Sequence, residues 1–196
     1  VAPEMVTLNF SEHYSEKQPA RLMELLLDWY LQKGVTGERA NFTIDFDPIL
    51  DFTEPPIDTL AAFIQSCTTQ WPNARPLQVN AKTFHSGPEQ VVDELALTMA
   101  KGAEYLARLT ETGLDAAAIN QHLQFGIAVS KSYFVEIAKF RALRLLWSNI
   151  LKGYGVKGKQ PFVVAHFAQE SQDENPNSNM IRASTQAMSA VIGGLD

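Results

Sequence analysis

The chain has 196 residues, 45% of them hydrophobic and 19% charged, with a formal net charge of −6. That is enough for one well-buried core, so a single domain over 1–196 is expected, and the lack of any Lys/Arg run argues against a nucleic-acid partner. No apolar run is long enough to cross a bilayer, and Val1-Ala2-Pro3-Glu4 has neither the basic nor the apolar character of a secretory signal.

In chain order, Met5–Phe10 is a short strand-like run. Pro19–Lys33 follows as a helix, with Leu22, Leu25, Leu26, Trp29 and Tyr30 at helical spacing and Gly34 as its stop. Asn41–Phe46 alternates like a strand. Pro55-Pro56 opens a helix over Ile57–Gln70, and Pro72 closes the region. Within that helix Cys67 is the lone cysteine. It can form no internal disulfide and lacks zinc-site spacing, so it is read as a small buried apolar residue in a reducing, cytoplasmic setting.

Pro76–Ala81 is the next strand. A long helix runs from Pro88 to Thr112 and stops at Gly113, and Asp115–His122 is a short extra helix. Leu123–Val129 is the fourth strand. Ser130–Lys152 is a strong helix with Phe134, Ile137, Ala138, Leu145 and Leu146 on its apolar face and Lys139, Arg141 and Arg144 on the rest. Phe162–His166 is the fifth strand. A polar loop, Glu170–Ser178, precedes a last helix from Asn179 that ends in Gly193-Gly194.

Strict alternation of about five strand–helix units argues for a parallel sheet with right-handed crossovers. Two architectures fit: an open doubly wound sheet or part of an eight-unit barrel. The first would normally carry a Gly-rich phosphate turn, and Ser11-Glu12-His13-Tyr14 has none.

Functional groups of parallel α/β folds sit at the C-terminal ends of strands. Those ends carry Asp45 and Asp47, then Lys82, Phe84 and His85, then Ser130 and Lys131, then His166, Gln169 and Glu170. Two His and two Asp at one mouth would suit acid–base chemistry, while turn and cap chemistry explains Asp47-Pro48 and Ser86-Gly87-Pro88 as well. No metal is expected, because His-x-His and His-Glu-x-x-His spacings are missing, and there is no Gly-x-Ser-x-Gly elbow. His13 and His122 read as surface or capping residues.

Three segments together resemble the barrel domain of methylmalonyl-CoA mutases. Tyr133–Trp147 (YFVEIAKFRALRLLW) is similar to the family's F-x-E-[IV]-A-K-x-R-A-x-R-x-L-W helix. Phe84-His85 is followed by Asp93-Glu94-Leu95-Ala96 and a helix through Tyr105-Leu106. The last helix, Asn179 to Gly194, is the third. The resemblance implies an eight-unit barrel threaded by acyl-CoA. It also implies a radical interconversion of methylmalonyl-CoA and succinyl-CoA, with adenosylcobalamin on a separate C-terminal domain. Bacterial forms often pair a catalytic large subunit with a small subunit that lacks the functional cobalamin site.

The catalytic pattern is altered here. The family's Thr-Ile-Gln becomes Thr43-Ile44-Asp45, its Tyr-His pair becomes Phe84-His85, and its T-H-x-Q-T-S-G loop becomes Ala165-His166-Phe167-Ala168-Gln169-Glu170-Ser171. Two neutral hydrogen-bonding groups are lost, and an anion at Asp45 would repel a carboxylate-bearing substrate. The resemblance therefore implies a fragment of the small, non-catalytic (beta) subunit: parallel βα units forming an incomplete part of a TIM (β/α)8 barrel. No catalytic residue is expected, and Asp45, His85, His166 and Gln169 are residual substrate-site positions.

Adenosylcobalamin belongs to the implied holoenzyme and is not expected on this chain, which has no Asp-x-His-x-x-Gly motif. The implied partner is the large subunit, in a heterodimer. The chain lacks an initiator Met, which points to processing or a cut chain. A shortened barrel is expected to self-associate or to cover its strand edges with its own termini. The alternatives are an independent barrel-type lyase or hydrolase using Asp45, His85 and His166, or a catalytically active mutase chain.

Overall fold

Parallel strands alternate with helices in the computed structural model, which describes residues 5, 7–11 and 19–196. His13 and part of the expected first strand lie outside those residues. The chain forms two units, Val1–Gln78 with Tyr105–Leu123, and Val79–Glu104 with Gln124–Asp196.

In the first unit, β1 (Leu8–Ser11) pairs in parallel with β2 (Phe42–Asp45), Leu8 opposite Phe42 and Ser11 opposite Asp45. The other edge of β2 receives the approach to β3 (Leu77–Asn80): the Ile44 amide donates to the Arg75 carbonyl and the Arg75 amide to that of Phe42, both at 2.9 Å. Helix α1 (Pro19–Gln32) buries Met23, Leu26 and Tyr30, and α3 (Ile57–Gln70) buries Leu60, Ile64 and Cys67. Both triplets follow the three-to-four spacing that makes one helix face apolar. Tyr30 stacks on Phe42 with ring centroids 5.6 Å apart and lies 6.1 Å from Trp71. Burial pushes the Cys67 thiol up to about 12, so it stays protonated and inert, as the sequence suggested. The sequence reading missed the single-turn helix α2 (Pro48–Asp51), which Pro48 opens at its first position.

The short helix α5 (Ala116–Gln121) starts at Asp115, whose carboxylate accepts from the Ala117 and Ala118 amides at 2.9 and 3.2 Å. His122 caps its other end. It is fully buried rather than at the surface, and its Nδ1 donates to the Ala74 carbonyl at 2.7 Å.

In the second unit, β4 (Leu123–Val129) lies between β3 and β5 (Phe162–Phe167). Gln124 stands opposite Phe162 and Val129 opposite Phe167, all in parallel. Every residue of β4 is buried. A strand covered on both faces reads as a largely apolar run, and in Leu123–Val129 only Gln124 interrupts it. In both sheets, strands that neighbour in space neighbour in the chain.

Helix α6 (Tyr133–Gly153) corrects the sequence reading of its faces. Its buried residues are Glu136, Lys139, Phe140, Leu143, Trp147 and Leu151, whereas Phe134 is 81% and Leu145 63% exposed. The Trp147 ring meets Phe125 edge-on at 4.9 Å. Gly102, in α4 (Val91–Glu111), lets this pair pack: a Cβ there would stand 2.9 Å from the Trp147 ring and 3.2 Å from Phe125.

Helix α7 (Pro176–Gly193) begins three residues earlier than its apolar spacing suggested, because Asn175 caps it through the Asn177 and Ser178 amides. Gly193 packs directly on α6, where a Cβ would come within 2.8 Å of the Phe140 Cβ. Gly194 then turns the chain at φ 101°, and the Leu195 amide returns to the Ala190 carbonyl at 3.1 Å. The chain's last residue, Asp196, reaches the edge of β5: its amide donates to the Val163 carbonyl at 3.1 Å and its carboxylate accepts from the Val163 amide at 2.8 Å. Arg144, off the apolar face in the sequence reading, donates to the carbonyls of Gly194 and Pro161 and pairs with Asp196.

Candidate functional site

The second unit places a cavity of about 670 Å3 at the C-terminal end of β5, lined by Lys82, His85, Ala128, His166, Phe167, Ala168, Gln169 and Glu170. Three of the four positions singled out in the sequence, His85, His166 and Gln169, therefore meet at one pocket. Asp45 belongs to the first unit, where its Oδ1 accepts from the Gln78 amide nitrogen at 2.8 Å.

His85 reaches the pocket through a short path. β3 ends at Asn80, the Ala81 amide donates to the Gly126 carbonyl of β4 at 2.8 Å, and a single 3-10 turn over Lys82–Phe84 delivers the imidazole. Gly87, at φ 116°, then redirects the chain into the turn that precedes α4.

Both ring nitrogens of His85 are engaged. Nδ1 lies 2.8 Å from Glu94 Oε2 and Nε2 lies 2.7 Å from Glu170 Oε1. A carboxylate without a proton only accepts, so the ring can donate to both partners only as the charged imidazolium. Burial alone would lower the His85 pKa, but the hydrogen bonds from Glu94 and Glu170 outweigh it and the net shift is upward.

Behind the imidazole lies a buried ionic cluster. Lys139 Nζ is 3.2 Å from both oxygens of Glu94 and 2.8 Å from Glu136 Oε2, and it donates to the Ala128 carbonyl at 2.7 Å. The Ser130 hydroxyl donates to the other oxygen of Glu136 at 2.7 Å. Glu94, Glu136, Lys139 and a charged His85 balance to neutrality, which is what permits four ionisable groups to sit out of water. Ser130, named from its strand end, thus faces the cluster. Asp47 is also structural: buried, it accepts from the Tyr105 hydroxyl at 2.6 Å, and that oxygen accepts from the Ile49 amide at 2.8 Å. Burial, and then the Asp47 charge, push the Tyr105 pKa up.

Among the described residues no group of three or more His, Cys, Asp or Glu has the arrangement to hold a metal ion, and no helix is long and apolar enough to cross a membrane.

The family model described as Methylmalonyl-CoA mutase matches residues 32–196. The chain belongs to the methylmalonyl-CoA mutase family. It is 29% identical over 178 residues to the methylmalonyl-CoA mutase small subunit of Porphyromonas gingivalis, covering 85% of this chain and 29% of that protein. It is 36% identical over 176 residues to the large subunit of the same organism, covering 83% of this chain and 25% of that protein. A small subunit from Propionibacterium freudenreichii subsp. shermanii is 27% identical over 193 residues, 94% of this chain and 30% of its own length. The chain thus spans between a quarter and a third of these mutase-family relatives.

The sequence reading singled out the pocket's rim and overlooked its foundation. Lys139 was placed off the apolar face and Glu94 only in a family motif. The readable signal was the run Glu136, Lys139, Phe140, Leu143, Trp147, Leu151, whose three-to-four spacing marks one face whatever the charge of its first members.

Proposed function

We propose that this chain is a segment of the barrel domain of a small, non-catalytic methylmalonyl-CoA mutase subunit. On this reading it supports the interconversion of methylmalonyl-CoA and succinyl-CoA that a large subunit performs with adenosylcobalamin. The observation that carries the proposal is the state of His85. A ring with both N–H groups on carboxylates has none to offer a thioester oxygen. Phe84 supplies no hydroxyl beside it, and Glu170 adds an anion to a pocket that would have to take a carboxylate-bearing thioester. The matches to small subunits from two organisms agree with this role.

The chain-order pairing of neighbouring strands supports the barrel reading, since a doubly wound sheet reverses its order at a switch point. His85 does not fit the role of a cobalamin ligand, since Glu94 and Glu170 hold its two nitrogens. His85, His166 and Gln169 are, on this reading, inherited positions of a substrate site that has lost its donors, and Asp45 is another such position in the first unit.

The test is to titrate methylmalonyl-CoA into the protein with its histidines isotopically labelled and to follow the His85 ring resonances. No saturable shift is expected. A saturable shift of His85 at substrate concentrations near those that support turnover in the family would overturn the proposal.

A further inference from the structure

The two carboxylates on His85 differ in a way that gives the pocket a moving part. Glu94 is 1% exposed and keeps Lys139 as a second partner, whereas Glu170 is 51% exposed. When the ring gives up a proton it keeps one N–H. The bond to Glu94 holds that proton, because a buried carboxylate without it would lose a partner that water cannot replace, while Glu170 exchanges its partner for water at little cost. Glu170 also sits in a short 3-10 turn, Gln169–Ser171, that is fastened at both ends. The Ala168 amide donates to the Val129 carbonyl at 2.9 Å, and the Ser171 hydroxyl receives the Gln186 amide nitrogen at 2.8 Å. Gln169 and Glu170, the two residues between these anchors, both line the pocket.

We propose that the His85–Glu170 contact is a pH-sensitive latch, which holds Gln169 and Glu170 in place as a wall of the strand-end pocket while His85 is charged and frees them when it is neutral. The charged and titratable groups around the ring are Glu94 from α4, Glu136 and Lys139 from α6, Glu170 from the turn, Lys82 from the ring's own turn and His166 from β5. Lys101 of α4 lies over the neighbouring Phe84 ring at 5.4 Å. Of these, Lys139 opposes the proton on His85, while Glu94 and Glu170 favour it and prevail. The latch is therefore still shut at about pH 6.5, where an ordinary imidazole is half-titrated, and its opening is centred at a higher pH.

Amide hydrogen exchange of Ser171 and Gln172, whose amides close the turn on the Ala168 and Gln169 carbonyls, tests this directly alongside the His85 ring shift when run on the whole protein from about pH 5.5 to about pH 9 and corrected for base catalysis. Protection of these amides is expected to fall about 5-fold in step with His85 deprotonation. Glu170→Gln is expected to lower the midpoint of His85 titration and to leave the turn amides weakly protected at every pH. Protection that stays flat while His85 titrates, or a step that persists in Glu170→Gln, would overturn the latch. The unsubstituted protein decides the question by itself if the variant is unstable.

Discussion

Lys139 and Glu94 form an ion pair sealed from water: the ammonium lies 3.2 Å from both carboxylate oxygens, with the Lys139 side chain 0% and the Glu94 side chain 1% exposed. Removing one member leaves the rest of the cluster with uncompensated buried charge, which costs far more than the pair gains when complete. Lys139→Met is expected to destabilise the protein by about 3–5 kcal/mol, read as a shift in the urea midpoint. A loss under about 1 kcal/mol would mean that the cluster is open to solvent.

The pH dependence of stability should have two arms with different owners. His85 has a raised pKa, so its contribution is complete below the ordinary imidazole value of about 6.5 and is lost as pH climbs through the higher folded value. His122 is opposite. Burial, first, and then Arg75 lower its pKa, with the bond to the Ala74 carbonyl working against them. Below about pH 6.5 the unfolded chain therefore binds a proton that the folded chain refuses, and stability falls. Urea midpoints measured at half-unit steps should show both arms, and Glu170→Gln should flatten the alkaline arm alone.

Much of the fold was legible because strand and helix periods differ and Gly and Pro punctuate them. The short, mostly apolar Leu123–Val129 gave away a strand, and Gly193-Gly194 gave away a helix stop. The faces of α6 were not legible in the same way. Phe134 and Leu145 are apolar and were put on the packed face, and Lys139 is charged and was left off it, whereas Phe134 and Leu145 are exposed and Lys139 is buried. Which charges are buried depends on partners from other elements, here Glu94 of α4, and helical spacing in one segment cannot express that. The pocket rim was readable, since strand ends are known from strand positions. The Glu170–His85 contact joins residues 85 apart in the chain and has no local signature.

Tyr105 is expected to carry measurable stability through its hydroxyl. Tyr105→Phe leaves buried Asp47 without its 2.6 Å donor and the Ile49 amide without its acceptor. A loss of about 1–3 kcal/mol is expected, visible in denaturant or thermal unfolding, with the fold otherwise unchanged by circular dichroism.

Gly102 should resist even the smallest addition. Gly102→Ala gains helix propensity worth about 1 kcal/mol but drives a methyl into the Trp147 and Phe125 rings at 2.9 and 3.2 Å. Overpacking of this kind typically costs about 1–3 kcal/mol, so a net loss is expected. The Trp147 near-ultraviolet dichroism should change with it, and a gain in stability would show that the ring pair yields freely.

The proposed supporting role is tested most directly by turnover. The protein is supplied with adenosylcobalamin and methylmalonyl-CoA, alone and then with a large subunit of the family, and succinyl-CoA is measured. Product is expected only when the large subunit is present. Succinyl-CoA formed by the protein alone would contradict this reading, because it would require His85 to serve a substrate with no ring N–H left to offer, the charged ring giving both to carboxylates and the neutral ring keeping its one on Glu94.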